Sequence, residues 1–307
     1  MIKFTKLGVI HEENPKGFKL GQVQAPVVIP QQFNCTDAGP IPEIPILMQG
    51  QSPECGGYSL ATLISILKTL TTALSGCFDY AFEKTVDGEP NIEGTTISAI
   101  GKAGAAGSCL YPLFPDDGVI MQQESNNATP FSVASPAAKA DALTRAIGTP
   151  FLLEDLSFGG IAQAICQNGA VILEVQVGAE WWTAPNGTES WAPQVACPVQ
   201  PPKTVIDSHF ICVSAYDLTN GRLWFANTWS TEWGQNGWGY LSPAYLPFIL
   251  SGIAFKQVPN SVISALTQGQ QTLAQEIIAD MEELVKYLEL ELGAKAKVGA
   301  TISHSKI

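Results

Sequence analysis

The stretch QGQSPECGGYSLATL, Gln49 to Leu63, places one cysteine between a turn marked by proline and a run of apolar residues. Ser52 is a good helix N-cap and Pro53 suits the first helical position, so the pattern predicts a helix with Cys55 in its first turn. The apolar residues that follow cover most of the helix circumference, which is typical of a buried central helix. We expect this helix to continue to Leu74.

The cysteine in this stretch has two interpretations. A free cysteine is often a small apolar residue that fills a core. A thiol at the N-terminus of a buried helix, however, lies at the positive end of the helix dipole and near unpaired backbone N–H groups, which favour the thiolate. The position of Cys55 therefore makes it a candidate nucleophile.

The composition limits the partners of the chain. With 307 residues, 46% hydrophobic and 14% charged, it predicts a compact globular protein. A net charge of −12, with only 16 lysines and arginines, argues against a nucleic-acid partner. No segment approaches the roughly 20 apolar residues of a membrane span, and no apolar stretch of signal-peptide length opens the sequence. We therefore expect no membrane partner, and a place in the cytoplasm or in a particle.

The seven cysteines show no CxxC spacing, so they predict neither a zinc site nor a disulfide framework. We expect no metal and no cofactor. The sequence leaves open a disulfide between two of the other cysteines, namely Cys77, Cys109, Cys166, Cys197 and Cys212.

Changes in pattern along the chain predict three regions. Residues 1–30 form an extended arm, and 31–257 form the main domain, with a helical lobe at about 46–118 and a β lobe at about 119–257. A second helix is predicted at 94–107, and a loop between the lobes includes the polar stretch from Gln122 to Pro136. The β lobe begins with a short helix that ends at Gly169 and continues with the strand-like runs AVILEVQV, HFICVSAYD and RLWFANTW.

Residues 258–307 form the third region, a C-terminal amphipathic helix and tail. Apolar residues recur at steps of three and four from Ile263 to Leu292, and Gly293 ends the pattern. The apolar stripe can dock on the domain or form a seam with a second chain. We favour self-association or assembly through this helix.

A cysteine nucleophile needs a base, and the base needs a group that orients it. The chain has three histidines, and only His209 opens a strand-like run, since His11 lies in the arm and His304 in the tail. Asn227 lies 18 positions after His209, in the next strand-like run. Two antiparallel strands joined by a tight turn can bring these two side chains within hydrogen-bond reach.

The segments around these residues resemble those of papain-like cysteine peptidases. QGQSPECGGY is similar to the segment of their active cysteine, SHFICVSAYD to their histidine strand, and NTWSTEWGQNGWGYL to their Asn-Ser-Trp-Gly segment. Two further stretches, EGTTISAIGKAGAAGSCLYPLFPDD and FGGIAQAICQNGAVILEV, resemble bacterial members with a short N-terminal arm. The resemblance covers roughly Val9 to Gln257.

The resemblance implies an α+β papain-like fold of two lobes. In this fold the central helix of the helical lobe starts at the cysteine, the second lobe is an antiparallel β-barrel-like structure, and an open cleft lies between the lobes. The C-terminal helix would be an addition to this fold.

The resemblance also implies a role for each site residue. Cys55 attacks a carbonyl carbon as a thiolate, His209 is its imidazolium partner, and Asn227 orients the imidazole while Trp229 shields that hydrogen bond from water. Gln49 donates to the oxyanion, with Gln51 as the alternative donor.

Three positions depart from the family pattern. Gly56 replaces an aromatic residue, Ser230 replaces a glycine, and Glu54 replaces a small residue. An acid at position 54 is expected to raise the pKa of the Cys55 thiol.

The predicted function is a cysteine peptidase that acts on peptide or protein substrates through a covalent thioester. The alternatives are a transpeptidase that uses the same acyl-enzyme, and a papain-fold structural or assembly protein with little or no activity. For the substrate pocket beside His209 we expect Phe210 and Gly94 to form a narrow apolar wall that prefers small or slender side chains.

Overall fold

The computed structural model describes residues 8–13, 15, 18–19, 28–50, 52–89, 92–115, 131–183 and 198–256. These all belong to the first of two units, Met1–Gln257 and Val258–Ile307. The predicted helix from Ile263 to Leu292 lies outside the described residues, as do Gln51 and Cys197. The domain limits proposed above therefore stay a prediction.

Helices dominate the first part of the described chain. Five α-helices are present in these ranges, in chain order α1 (Cys55–Lys68), α2 (Gly76–Val86), α3 (Ile97–Ala106), α4 (Pro136–Leu143) and α5 (Phe158–Asn168). Short 3-10 helices lie at Tyr111–Leu113, Phe131–Val133, Ala179–Trp181 and Pro243–Phe248. No helix in the described ranges is long and apolar enough to cross a membrane.

The central helix was predicted correctly in kind but not in its limits. The N-cap of α1 is Glu54, and Cys55 is the first helical residue. The predicted cap, Ser52, instead donates its hydroxyl to the carbonyl of Gln49 at 2.8 Å, within the turn. The helix ends at Lys68 because Thr69 takes the left-handed conformation, with φ of 53°.

Two helices were absent from the sequence prediction. Ser75 caps α2 and Ser135 caps α4, each accepting a hydrogen bond from a backbone N–H three residues on. The sequence pattern predicts a central helix that continues to Leu74 and a loop that includes the stretch from Gln122 to Pro136. Ser75 is a local cap signal for α2, whereas α4 is too short to show a clear helical period.

The strands form one large mixed sheet and a small hairpin. Their limits are β1 (Phe18–Lys19), β2 (Gln32–Phe33), β3 (Cys35–Thr36), β4 (Gly39–Pro40), β5 (Pro150–Leu152), β6 (Val171–Val177), β7 (Asp207–Asp217), β8 (Arg222–Ala226), β9 (Trp238–Leu241) and β10 (Ile249–Phe255). The order in the sheet is β1-β5-β10-β6-β7-β8-β9, with β2 also on β7, while β3 pairs with β4. The pairings are antiparallel except that of β1 with β5. The predicted α+β class is confirmed.

The sheet is buried on both faces and separates two hydrophobic cores. On β6 and β7 the side chains alternate, so Leu173 and Ile211 join the core on the α5 side, whereas Ile172 and Phe210 join the core formed with α1, α2 and α3. A strand covered on both faces reads as a continuous apolar run. This is why AVILEVQV and HFICVSAYD look so uniformly hydrophobic.

Helices α1 and α2 approach each other closely where both carry glycine. A Cβ atom at Gly57 would lie 2.3 Å from the carbonyl oxygen of Gly76, and a Cβ atom at Gly76 would lie 2.4 Å from the ring of Tyr58. The two glycines therefore allow backbone contact directly behind the first turn of α1.

We expect Gly57→Ala to destabilise the protein by about 2 kcal/mol or more, because an added methyl group would overlap backbone atoms of α2. The matched control is Gly159→Ala in α5, where nothing lies within 4 Å of an added Cβ. This exposed helical position should gain a few tenths of a kcal/mol, up to about 1. Chemical denaturation of both variants tests the pair, and equal effects would contradict the close contact of α1 with α2.

Candidate active site

Cys55 begins helix α1 at the point where this helix packs on strand β7. The hydroxyl of Ser59, one turn further along α1, donates to the carbonyl of Phe210 at 2.8 Å. The backbone of Phe210 also lies near enough to the Cys55 thiol to lower its pKa. The cysteine is thus fixed against the residue that directly follows His209.

His209 and Asn227 meet as predicted. His209 Nε2 lies 2.9 Å from Asn227 Oδ1, and the backbone N–H of Thr228 donates to the same oxygen at 2.9 Å. Because a backbone N–H can only donate, the Asn227 atom between them is the amide oxygen, and Nε2 carries the imidazole proton. Nδ1 therefore holds the lone pair, and among the described residues it has no hydrogen-bond partner.

Aromatic rings enclose this hydrogen bond. Trp229 stacks on the His209 ring with centroids 4.8 Å apart, and Trp181 meets the same ring edge-on at 5.8 Å. Trp182 in turn stacks on Trp229 at 5.1 Å. The sequence predicted the shielding by Trp229, and the structure adds Trp181 and Trp182.

Gln49 is tied to the segment that follows Asn227. Its backbone N–H donates to the carbonyl of Thr228 at 2.8 Å, and the Thr228 hydroxyl donates to its side-chain oxygen. The side-chain Nε2 donates to the carbonyl of Ser52 at 2.8 Å. An amide nitrogen has two hydrogens, so one donor of Gln49 is held in the turn while the second can serve another acceptor.

Thr228 was missed by the sequence analysis. It contacts both the residue that orients His209 and the predicted oxyanion donor, so one side chain and its backbone connect the two. Its only sequence signal was its position between Asn227 and Trp229.

Burial is the largest influence on the pKa values of Cys55 and His209. Burial raises the pKa of the Cys55 thiol, the charges of Asp207 and Glu83 raise it further, and hydrogen bonds from the Phe210 and Gly56 backbones oppose the increase. Burial lowers the pKa of His209 to about 4, although its hydrogen bond to Asn227 partly offsets this. The resting pair is therefore a neutral thiol and a neutral imidazole. These shifts oppose the expected thiolate–imidazolium pair, because desolvation acts against the helix dipole, and the charged pair stays a prediction.

The side chain of Glu54 is directed toward α2. It is buried and accepts a hydrogen bond from the Cys77 thiol at 3.4 Å. The largest charge effects that raise the pKa of Cys55 come from Asp207 and Glu83, and a contribution of Glu54 stays a prediction. Glu54, Asp79 and Glu83 form an acidic cluster behind the first turn of α1. Burial raises the pKa of Asp79 and that of Glu83 well above their usual values.

The departure at Gly56 has a steric reason. A Cβ atom there would lie 2.3 Å from the methyl group of Thr95 and 2.8 Å from a carboxylate oxygen of Glu83. The space that an aromatic residue would need after the nucleophile is thus filled by α2 and by the segment before α3.

The catalytic candidates are buried in this structure. Cys55, His209 and Gln49 are each 0% exposed, and the open cleft between the lobes stays a prediction. Phe210 is also buried, within the core beneath α1, and Gly94 has a positive φ of 91° and touches Gly8 of the arm. Their role as walls of a substrate pocket stays a prediction. The six described cysteines are free thiols.

Comparison with solved structures identifies the fold as that of papain-like cysteine proteases. The structure superposes on xylellain, a cysteine protease from Xylella fastidiosa, with a TM-score of 0.63 and 17% identity over 84% of this chain and 99% of that one. The cysteine protease and lectin-like domains of Cwp84, a surface layer associated protein of Clostridium difficile, give 0.57 and 17% over 82% of this chain and 56% of that one.

A third solved structure extends the likeness to an animal enzyme. Digestive procathepsin L 3 of Tenebrio molitor larval midgut gives a TM-score of 0.55 and 12% identity, over 82% of this chain and 76% of that one. No family model and no curated protein sequence matches the chain. The likeness therefore lies in the fold, which the packing of α1 on the sheet defines.

We expect the His209 ring to be the neutral Nε2–H tautomer at neutral pH, with a pKa of about 4. Nitrogen NMR shifts of the imidazole, recorded between pH 8 and pH 3.5, measure both. Because the folded pKa lies below the unfolded value of about 6.5, this group removes stability as the pH falls from about 6.5 to about 4.

The control is Asn227→Ala, which removes the acceptor that selects this tautomer. Both tautomers should then appear for residue 209. An imidazolium at pH 7 in the wild-type protein would contradict the neutral pair.

Proposed function

We propose that this chain is a cysteine peptidase that hydrolyses peptide or isopeptide bonds through Cys55, His209 and Asn227. The observation that supports it most is the hydrogen bond from His209 Nε2 to Asn227 Oδ1, which leaves the Nδ1 lone pair available as a base. The nucleophile, Cys55, begins helix α1, and this helix packs against the strand that carries the base, His209. The fold it shares with known cysteine proteases supports the same assignment.

The first half of the reaction follows from the neutral resting pair. Nδ1 of His209 takes the thiol proton as Sγ of Cys55 attacks the carbonyl carbon, and the carbonyl π electrons move to oxygen. The Cys55 N–H, at the helix N-terminus, and the free hydrogen of the Gln49 amide donate to this oxyanion. The imidazolium then protonates the departing amine as the C–N bond breaks, and a thioester remains on Cys55.

Water completes the reaction. His209 takes a proton from the water as its oxygen attacks the thioester, and the thiolate leaves and regains the proton from the imidazolium. Asn227 and the rings around it hold the imidazole in one orientation throughout. A neutral Asn227 suits this role because it accepts the Nε2 proton without adding a second negative charge to the buried site.

The full burial of Cys55 favours one competing function, a papain-fold protein that serves in structure or assembly. A buried thiol with a raised pKa reacts slowly with any electrophile. The following comparison separates the two functions.

The decisive comparison uses the full chain, Cys55→Ala and Cys166→Ser, with Cys166 as the control because it is a partly exposed thiol away from the site. Each protein is incubated with a mixed fluorogenic peptide library and, separately, with an iodoacetamide probe followed by mass spectrometry. We expect hydrolysis by the wild type and the control, and a loss of about a thousandfold or more in Cys55→Ala. Absence of hydrolysis, with slow uniform labelling of all cysteines, would support the structural alternative.

Thr228 provides a test of how Gln49 is positioned. Thr228→Val removes the hydroxyl that holds the Gln49 oxygen, so kcat should fall about tenfold while KM changes little. Thr228→Ser keeps the hydroxyl and should retain most of the activity.

The effect should also depend on Gln49 itself. In a Gln49→Ala background, Thr228→Val should have almost no further effect, because the two groups act as a unit. Equal losses in the Val and Ser variants, or a change confined to KM, would contradict the positioning role.

A further inference from the structure

The N-terminal arm lies along the segment between α2 and α3, close to the nucleophile. Thr95 donates its N–H to the carbonyl of Gly8 at 2.9 Å and accepts from the N–H of Ile10 at 2.7 Å, so Val9 pairs with Thr95 like a strand residue. Gly8 is pressed against Pro53, since a Cβ atom there would lie 1.9 Å from the Pro53 carbonyl oxygen. The arm thus pairs like a strand with Thr95 and lies against Pro53, two residues before Cys55.

His11 of this arm reaches a buried carboxylate on the sheet. Its Nδ1 lies 2.8 Å from Oε1 of Glu174; the His11 side chain is 45% exposed, whereas that of Glu174 is 1% exposed. The other carboxylate oxygen of Glu174 accepts from the Ser251 hydroxyl at 2.7 Å. The basic partner of Glu174 in the described structure is therefore supplied by the arm and not by the body of the fold.

The strand register places this carboxylate beside the catalytic strand. Glu174 on β6 lies directly opposite Phe210 on β7 and opposite Ser251 on β10, so the three form a row across the sheet. The next residue, Val175, is the register partner of His209. A peptide that pairs with Thr95 can therefore direct one side chain to Glu174 while its backbone lies near the thiol.

A buried carboxylate is costly unless a cation or several donors pair with it. Among the described residues, the body of the fold provides one neutral hydroxyl, from Ser251, and the second oxygen is paired by His11 of the strand-like arm. Backbone pairing at a sheet-like edge combined with one side-chain site is a common mode of peptide recognition. The charge also changes the expectation of a purely apolar wall beside Phe210.

We propose that Glu174 is a recognition site for a cationic side chain of the peptide substrate, and that His11 of the arm occupies this site in the described structure. The proposal rests on the proposed peptidase function, because it names the substrate class of the same site. Lysine, arginine or protonated histidine in a substrate would replace His11, and the arm and the substrate would compete for Thr95 and Glu174.

The test uses fluorogenic peptides that differ only by lysine or norleucine, placed in turn at each position on the acyl side. Full-length wild type, His11→Ala, Glu174→Gln and Glu12→Gln are compared. Glu12→Gln is the matched control, because Glu12 accepts from the N–H of Ser98 at 2.9 Å and so holds the arm without touching Glu174.

We expect lysine to be preferred over norleucine in kcat/KM by about tenfold or more at one position, as for a charge-assisted hydrogen bond. Glu174→Gln, which keeps the shape and the acceptor for Ser251, should reduce this preference to about twofold or less. His11→Ala and Glu12→Gln should keep the preference, and His11→Ala should raise kcat/KM for lysine peptides. Absence of a preference in wild type and His11→Ala, or its persistence in Glu174→Gln, would overturn the proposal.

A binding measurement separates this proposal from the peptidase function. In the Cys55→Ala background, fluorescence anisotropy with the same labelled peptides is measured for His11→Ala and for His11→Ala with Glu174→Gln. Tighter binding of the lysine peptide that is lost in the second variant supports the site even if no peptide is cleaved. Equal binding of lysine and norleucine peptides to His11→Ala would overturn it even if peptidase activity is present.

Discussion

The packing of the first turn of α1 against strand β7 is the contact on which the rest of this structure depends. It fixes Cys55 beside the backbone of Phe210, and Ser59 secures the contact with a hydrogen bond. Because His209 precedes Phe210 on the same strand, the position of the base relative to the nucleophile follows from this one interface. Gly56 and Gly57 allow the opposite side of the turn to be filled by α2 and its acidic side chains.

Burial of this interface determines its electrostatics. A helix N-terminus favours a thiolate, but its effect is worth at most a few kcal/mol and is smaller than the cost of placing a charge in a dry core. The neutral thiol and imidazole are the consequence, and the low pKa of His209 expresses the same constraint.

The hydrogen-bond network around Thr228 gives the site its rigidity. The ladder that pairs Gln49 with Thr228 continues away from Asn227, since Met48 forms a bridge with Trp229 and the Ser230 N–H donates to Leu47 at 3.1 Å. Ser230 replaces the glycine of the family pattern. It keeps a positive φ of 69°, a conformation that favours glycine. Its hydroxyl accepts from the N–H of Glu232 at 3.2 Å, a local contact that a glycine could not make.

The sequence by itself determined the class of fold, the buried helix with Cys55 in its first turn, and the pairing of His209 with Asn227. These features rest on local patterns, namely helix signals, apolar runs and a tight turn between two strands, and such patterns need no knowledge of distant residues. The tertiary structure decided the burial of the site residues, the pKa shifts that favour a neutral thiol and imidazole, and the links of Thr228 to Gln49 and of His11 to Glu174. Each of these depends on groups far apart in the chain, 163 residues in the case of His11 and Glu174. Their desolvation and contacts are fixed only when the arm, the helices and the sheet come together.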